Sequence, residues 1–75
     1  MKAKPKLRPG SSVCWNWRDL VVTGTVKRVY HERVELELRG TRYVRNGTPE
    51  RPAYLITSAA GNDVLKLASE VRRAK

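Results

Sequence analysis

Phenylalanine is absent from this chain of 75 residues, and only five aromatic side chains, two of them tryptophan, are present. The apolar content therefore comes mainly from valine, leucine and isoleucine. A chain of this length can form one small domain, but it buries only about 60% of its unfolded surface. We expect a single domain with a thin core and no deep pocket for a substrate.

Cysteine and histidine occur once each, as Cys14 and His31. One cysteine cannot form an internal disulfide, and these two residues alone cannot complete a zinc site. They also cannot supply a nucleophile with its base and orienting acid. Glu35 and Glu37 alternate with apolar residues, as a solvated strand face does, so we assign them no metal. The sequence predicts a protein that is not an enzyme and holds no metal or cofactor.

Long hydrophobic runs are also missing from the chain. No segment approaches the roughly 20 apolar residues that cross a bilayer, and the lysine-rich start is not followed by the apolar stretch of a signal peptide. We expect a cytoplasmic protein that does not contact membranes.

Acidic residues are few, seven against sixteen lysines and arginines, which gives a net charge of +9. Such a charge attracts phosphate backbones. Residues 1–9 and 66–75 together have eight basic residues and one acid, whereas residues 10–65 have eight basic and six acidic residues. Most of the excess charge thus lies at the chain ends, where basic tails often serve only solubility.

Between the chain ends, most of the sequence consists of short runs in which apolar and polar residues alternate, as is typical of β-strands. Val13, Trp15 and Trp17 alternate with smaller or polar side chains and would share one strand face. A second run, residues 20–30, is rich in β-branched residues, and Gly24 within it suggests a bulge or a bend.

Residues 34–38 show the strictest alternation of apolar and charged side chains. We expect this strand to pair antiparallel with the run before it, and to continue past a kink at Gly40 as far as residue 45. Asn46-Gly47 is a turn signal, and two prolines keep the following stretch out of regular pairing. Two further strands are predicted at 54–57 and 64–67, joined by a turn at Gly61-Asn62.

The C-terminal segment is compatible with two structures. Ser69 would cap one helical turn that runs through Glu70 to Arg72. A longer helix from Asp63 onwards competes with it, since Val64, Leu67, Ala68 and Val71 have helical spacing.

Five short strands with glycine turns, and no helix long enough for a parallel crossover, favour an all-β fold. The predicted architecture is a small five-stranded barrel with a short C-terminal helical turn. SH3-like and OB-like barrels both fit, and five strands in roughly 60 residues favour the SH3-like form. The predicted organisation is a flexible basic arm at 1–9, the barrel at 10–72 and a basic tail at 73–75.

The order and spacing of several short motifs resemble a known family. Gly10-x-x-Val13-x-Trp15 is followed by Gly24-x-Val26, by Pro52-x-Tyr54-Leu55-Ile56 and by a Gly61 turn before Val64 to Lys66. Over about residues 8–72 this pattern is similar to the Tudor-type domain of hypervirulence-associated proteins. The resemblance implies an SH3-like, Tudor-like barrel, in agreement with the strand pattern, and brings no biochemical function with it.

The chain departs from that family's pattern at two places. An acidic run usually precedes the Pro-x-Tyr segment, where this chain has Thr48, Pro49, Glu50 and Arg51. A His-Lys pair in the last strand is replaced here by Leu65-Lys66. If those groups carry a shared activity, we expect this chain to lack it.

Non-specific binding of DNA or RNA through a basic face is the leading functional prediction. Sequence-tolerant binders combine a row of cations with aromatic rings that stack on bases. The cations along the second and third predicted strands are Lys27, Arg28, Arg39, Arg42 and Arg45, and Tyr30 and Tyr43 are interleaved with them. A solvated basic surface without a partner is the other interpretation of these residues.

A protein or peptide partner is the second functional prediction. Tudor-type barrels hold methylated lysine or arginine in an aromatic cage, to which Trp17 with Tyr30 or Tyr43 would contribute. An exposed strand edge is another way to take up a peptide. Two points argue against the cage. We expect Trp15 in the core and Trp17 as a partly exposed packing residue, and the net positive charge of the protein repels a cationic peptide. A role as a subunit of a larger assembly is a third alternative.

Overall fold

Hydrogen-bonded strands make up most of the chain in the computed structural model, which describes residues 7–74. Seven strands and one short 3₁₀ turn follow one another in this part. Their bounds are β1 Ser12–Trp17, β2 Leu20–Tyr30, β3 Arg33–Leu38, β4 Thr41–Asn46, β5 Ala53–Ser58, β6 Asp63–Leu67, the 3₁₀ turn Ala68–Glu70 and β7 Arg72–Arg73. The described residues contain no helix long and apolar enough to cross a membrane.

Two antiparallel sheets contain these strands. The main sheet has the order β6-β5-β2-β1-β7, and β3 pairs with β4 in a separate hairpin. The predicted all-β class is confirmed. The predicted five-stranded barrel is not fully confirmed, because the strands of residues 7–74 form two sheets and the main sheet is open between its edge strands β6 and β7. Along the chain, only residues 68–71 separate these two edges.

The β3–β4 hairpin corrects the expectation that residues 34–38 pair with β2 and run on past Gly40. Arg39 and Gly40 have φ angles of 51° and 80°, which is typical of a two-residue hairpin turn with both central residues left-handed. The chain therefore reverses, and Leu36 lies opposite Tyr43. On β2, the two neighbouring positions are taken by β1 and β5.

Strand β2 contains one bulge and one unusually close contact. The bulge lies at Lys27, between Val26 and Arg28, and not at Gly24 as the sequence suggested. A Cβ added at Gly24 would lie 2.7 Å from Ile56 Cγ2 and 2.7 Å from the Thr57 carbonyl oxygen. Strand β5 therefore packs this close to β2 only because residue 24 has no side chain.

The core is divided between the two faces of β5. One cluster consists of Val13, Trp15, Val26, Tyr54 and Ile56. A second cluster lies on the opposite face of β5 and consists of Val34, Ala53 and Leu65. Burial from both sides explains why Ala53, Tyr54, Leu55 and Ile56 form an unbroken buried run rather than an alternating one.

The C-terminal segment differs from both predicted structures. Residues 63–67 form strand β6, so the longer helix from Asp63 is wrong. The helical turn is Ala68–Glu70, and Ser69 lies inside it instead of capping it. The Glu70 carboxylate takes over that role, because it accepts the Leu67 N–H at 2.6 Å.

The predicted chain ends fall only partly within the described residues. Of the flexible arm at 1–9, residues 1–6 lie outside them, whereas Leu7 packs against the first core cluster and the Arg8 N–H donates to Ser11 Oγ at 3.0 Å. Of the basic tail at 73–75, Lys75 lies outside. Arg73 belongs to β7, and the Ala74 N–H donates to the Ser12 carbonyl at 3.0 Å.

Candidate functional site

The five cations predicted to bind nucleic acid do not form one row in the structure. Lys27 occupies the bulge of β2, Arg28 follows it on the exposed surface, and Arg39 lies in the β3–β4 turn. Arg42 and Arg45 both belong to β4, but they are three residues apart and project from opposite faces of the hairpin.

Three of these five cations are engaged with carboxylates. The pairs are Lys27–Asp63 at 3.2 Å, Arg42–Glu35 at 3.3 Å and Arg45–Glu70 at 3.1 Å. A phosphate bound to any of them would compete with a carboxylate already in place. Among the ion pairs within residues 7–74, none involves Arg28 or Arg39.

Lys27 and Arg39 are the predicted cations that the structure brings together. They line an open groove of about 560 Å³ between the β3–β4 turn and the start of β6, and Glu37 and Asp63 line it as well. The pKa of Asp63 is lowered by the Thr57 hydroxyl, which donates to it at 2.9 Å, and by Lys27, against an opposing effect of burial. Two carboxylates balance two cations, so this groove offers no excess of positive charge to an anion.

The three aromatic residues of the predicted cage are not assembled into one. Tyr30 and Tyr43 are half-buried and pack against the second core cluster. Trp17 ends β1 and is 52% exposed. Since Tyr30 is the last residue of β2, it lies roughly 30 Å along the strand from the turn that carries Trp17.

Three large apolar side chains are exposed at the β1–β2 turn. Leu20 lies opposite Trp17 on the same sheet face and is 61% exposed, Val21 lies on the other face and is 60% exposed, and we call these three residues the turn patch. The guanidinium carbon of Arg18 lies 4.7 Å from the centroid of the Trp17 ring, a cation–π contact. Trp15, two residues earlier on the same strand, is only 4% exposed and belongs to the core.

A different set of arginines follows β1 and its neighbour β7. Arg72 and Arg73 form β7, an edge strand of the main sheet, and project from its two faces; Arg72 Nη2 donates to Asn16 Oδ1 at 3.2 Å. Arg73 and Arg8 line an open groove of about 440 Å³ whose other lining residues are 9–11. Arg18 lies at the opposite end of β1. We call Arg8, Arg18, Arg72 and Arg73 the arginine edge.

Charge is separated between this edge and the rest of the domain. Residues 7–18 and 71–74 contain no acidic side chain; Asp19 follows the first segment, and Glu70, which is paired with Arg45, precedes the second. None of the ion pairs found within residues 7–74 includes a member of the arginine edge. Apart from Asp19, the acidic residues lie between residues 32 and 70: Glu32, Glu35, Glu37, Glu50, Asp63 and Glu70. Four exposed arginines outside the ion pairs found in residues 7–74 therefore lie apart from the row predicted from the sequence.

Side chains with other chemistry add little to this site. Cys14 is a buried free thiol on β1, opposite Thr23. In the part of the chain that the structure describes, no group of three His, Cys, Asp or Glu side chains is placed to hold a metal ion. The candidate site thus consists of exposed cations and one exposed indole.

A comparison with known protein families shows which family this chain belongs to. The family model for the TUDOR domain of hypervirulence associated proteins matches residues 10–71, which is more than half of the chain. The chain belongs to this family. The TUDOR match covers β1 to β6 and the 3₁₀ turn, and it ends directly before β7. Tudor-type domains are binding modules, so binding is the activity that family membership supports. No curated protein and no solved structure matches the chain.

Proposed function

We propose that this TUDOR domain is a non-catalytic cytoplasmic module that binds DNA or RNA, with little sequence preference, through the arginine edge. The observation that carries the proposal is the separation of charge. Four arginines line β1 and β7 without an ion-pair partner among the described residues, whereas three of the five cations in the predicted row already have one. Family membership supports a binding role, and the nature of the ligand is our inference.

Unpaired arginines suit phosphate for two physical reasons. The planar guanidinium can donate two parallel hydrogen bonds to a phosphate and keeps its charge at any physiological pH. An arginine without a carboxylate partner also gives up no ion pair when it binds. Arg28 and Arg39 remain in the proposal as secondary contacts, because they are exposed and lie outside the ion pairs found in residues 7–74.

The dimensions of the arginine edge also fit a nucleic-acid strand. Strand β1 has six residues and spans roughly 20 Å, from the Arg8–Arg73 groove at one end to Arg18 at the other. Phosphates of one strand of a duplex are spaced about 3.4 Å apart along its axis, so several can follow this edge at once. Contacts to phosphate alone carry no sequence information, which explains the low sequence preference that we propose.

Fluorescence anisotropy with labelled oligonucleotides tests the proposal. Four phosphate contacts give a slope of about −3 for log K against log salt, so affinity should fall about 50- to 150-fold between about 50 and 200 mM salt. Absence of binding at the lower salt concentration would refute the proposal. Binding that is independent of salt would point away from phosphate contacts.

A protein partner held by the turn patch is the second candidate function. Its supporting observation is the exposure of Trp17 and its cross-strand neighbour Leu20 on one face, since exposed tryptophan often dominates protein interfaces. The methyl-lysine cage has less support, because Tyr30 and Tyr43 are half-buried against the second core cluster and are not assembled with Trp17. A complex of this kind would lose its affinity in the Trp17→Ala variant and would depend little on salt, in contrast to the leading proposal.

A further inference from the structure

We infer that Trp17 stacks on an unpaired base and thereby makes the arginine edge selective for single-stranded nucleic acid over duplex. The inference rests on the proposed function, to which it adds the form of the ligand and the residue that selects it. It depends on the exposure of Trp17, its position relative to the arginines and its contact with Arg18.

The indole of Trp17 contributes little to the packing of the domain. Trp15 and Trp17 share a face of β1, yet only Trp15 belongs to a core cluster, and Trp17 is 52% exposed. Its neighbours across the turn, Leu20 and Val21, are also exposed rather than folded over the ring. Much of its ring surface is therefore available to a ligand.

The position of Trp17 continues the line of arginines. Val13 lies opposite Arg73, and Trp17 lies four residues, or about 13 Å, farther along β1 than Val13. Arg72 donates to Asn16, the residue before Trp17, and both lie on the other face of β1. A strand whose phosphates contact Arg73 on the face of Trp17 thus arrives at the indole within a few nucleotides.

Arg18 completes the arrangement around the ring. Its guanidinium covers one side of the indole at 4.7 Å from the centroid, and its φ of 57° is a left-handed value that is uncommon for a long side chain. A guanidinium plane and an indole ring both stack on bases, and the guanidinium can also contact the adjoining phosphate. The pair therefore offers a base two stacking groups and a charge in one place.

Charge and shape favour a single-stranded ligand here over a protein or a duplex. The turn patch adjoins Arg18 and Arg72, and its nearest carboxylate in sequence is Asp19. Inside a duplex the bases already stack on one another and expose only their edges, so the indole would find no free ring face. A single strand can present both phosphates and base faces to the same surface.

Three probes of equal length, about 12 nucleotides, separate the phosphate contacts from the base contact. They are single-stranded oligothymidine, the corresponding abasic deoxyribose-phosphate strand and a duplex. Each is titrated into the full chain and into Trp17→Ala, Trp17→Tyr and Leu20→Ala, with anisotropy and tryptophan fluorescence as readouts. Leu20→Ala is the matched control, because Leu20 faces Trp17 across the turn and lacks a ring.

The expected result is that oligothymidine binds about tenfold more tightly than the abasic strand and quenches the protein's fluorescence. Trp17→Ala should lose this tenfold difference and the quenching while it binds the abasic strand as before, and Trp17→Tyr should keep most of the difference. Leu20→Ala should behave as the wild type.

Three other results would overturn the inference, and they are distinguishable from failure of the proposed function. An unchanged preference in Trp17→Ala, or equal binding of duplex and single strand, would show that Trp17 does not stack, while binding to the arginine edge would stand. An equal loss in Leu20→Ala would assign the effect to apolar contact and not to stacking. If none of the three probes binds, both this inference and the proposed function are wrong.

Discussion

Arg45 and Glu70 join the β3–β4 hairpin to the 3₁₀ turn. Arg45 Nε lies 3.1 Å from Glu70 Oε1, and the same oxygen accepts the Leu67 N–H at 2.6 Å. The turn leads directly into β7, so this carboxylate helps to set the position of Arg72 and Arg73. We therefore regard Arg45, predicted as a ligand-binding residue, as a support for the arginine edge.

The contribution of Glu70 to stability should depend on pH. Burial acts to raise the pKa of Glu70, but the hydrogen bonds from Leu67 and Arg45 and the charges of Arg45 and Lys66 outweigh it, so the pKa lies below its ordinary value of 4.5. A carboxyl with a lowered pKa stabilises the folded state above its ordinary pKa and ceases to do so as the pH falls through the lower, folded-state value. Glu70→Gln should therefore cost about 0.5–1 kcal/mol at pH 7, the scale of a partly exposed pair, and progressively less in acid.

Urea denaturation at pH 7 and at about pH 3 measures this difference, with Glu50→Gln as the control. Glu50 is an exposed loop residue, and none of the ion pairs found within residues 7–74 includes it. Equal losses of stability in the two variants at pH 7 would contradict the assigned role of Glu70.

The pKa of Asp63 should rise when the Thr57 hydroxyl is removed. That hydroxyl donates to Asp63 Oδ1 at 2.9 Å and is the main cause of the lowered pKa, ahead of Lys27. Thr57→Val keeps the shape of the side chain and removes the donor. An NMR titration of the Asp63 carboxyl carbon should show a pKa closer to the ordinary value, and an unchanged pKa would mean that Lys27 dominates.

Trp15 and Trp17 should differ sharply in their effect on stability. Trp15 is 4% exposed in the first core cluster, so Trp15→Ala should lower the free energy of unfolding by about 3–5 kcal/mol. This is a large part of the total stability of a domain of this size. Trp17→Ala should lose less than about 1 kcal/mol, because its indole is 52% exposed. Thermal unfolding checks both, and a large loss in Trp17→Ala would make Trp17 a core residue and weaken its assignment to a ligand.

Gly24→Ala should destabilise the domain by forcing β2 and β5 apart. The new methyl group would lie 2.7 Å from two atoms of β5, one of them a backbone oxygen that cannot rotate away. We expect a loss of about 1–3 kcal/mol, seen as a fall in Tm on the order of 10 °C. Thr25→Ala, at the exposed neighbouring position, should change Tm far less. Equal effects of the two substitutions would argue against the close packing at residue 24.

The strands that could be predicted from sequence are those with a clear apolar pattern. The runs at 13–17, 20–30, 54–57 and 64–67 correspond to β1, β2, β5 and β6. The β3–β4 hairpin could not be predicted because Arg39, and not only Gly40, takes a left-handed φ that arginine rarely adopts. Strand β7 has only two residues, both arginine, and its pairing with β1 depends on how the chain closes around the core.

The candidate site was less accessible to prediction than the fold. The charge count indicated an anionic partner, but it could not show which cations are neutralised. Lys27 and Asp63 are 36 residues apart in sequence, and Arg45 and Glu70 are 25 apart, so only the fold brings each pair together. Arg8 and Arg73, which fall in the predicted arm and tail, face one groove for the same reason.

The position of the nucleic-acid site is tested most directly by two variants of equal charge. Arg72→Gln with Arg73→Gln alters the arginine edge, and Arg28→Gln with Arg39→Gln alters the predicted row, where both arginines are exposed. Each pair removes two positive charges, so the net charge of the protein does not distinguish them. Anisotropy with a labelled single-stranded oligonucleotide, at several salt concentrations, compares both with the wild type.

The account predicts that the edge variant loses about 10-fold or more in affinity at about 50 mM salt and that its salt slope falls by about 1–2, as expected for two lost phosphate contacts. The row variant should lose clearly less and keep most of the slope. Equal losses in the two variants would mean that net charge alone drives binding, and a larger loss in the row variant would place the site on β2 and the β3–β4 turn, contradicting the arginine edge.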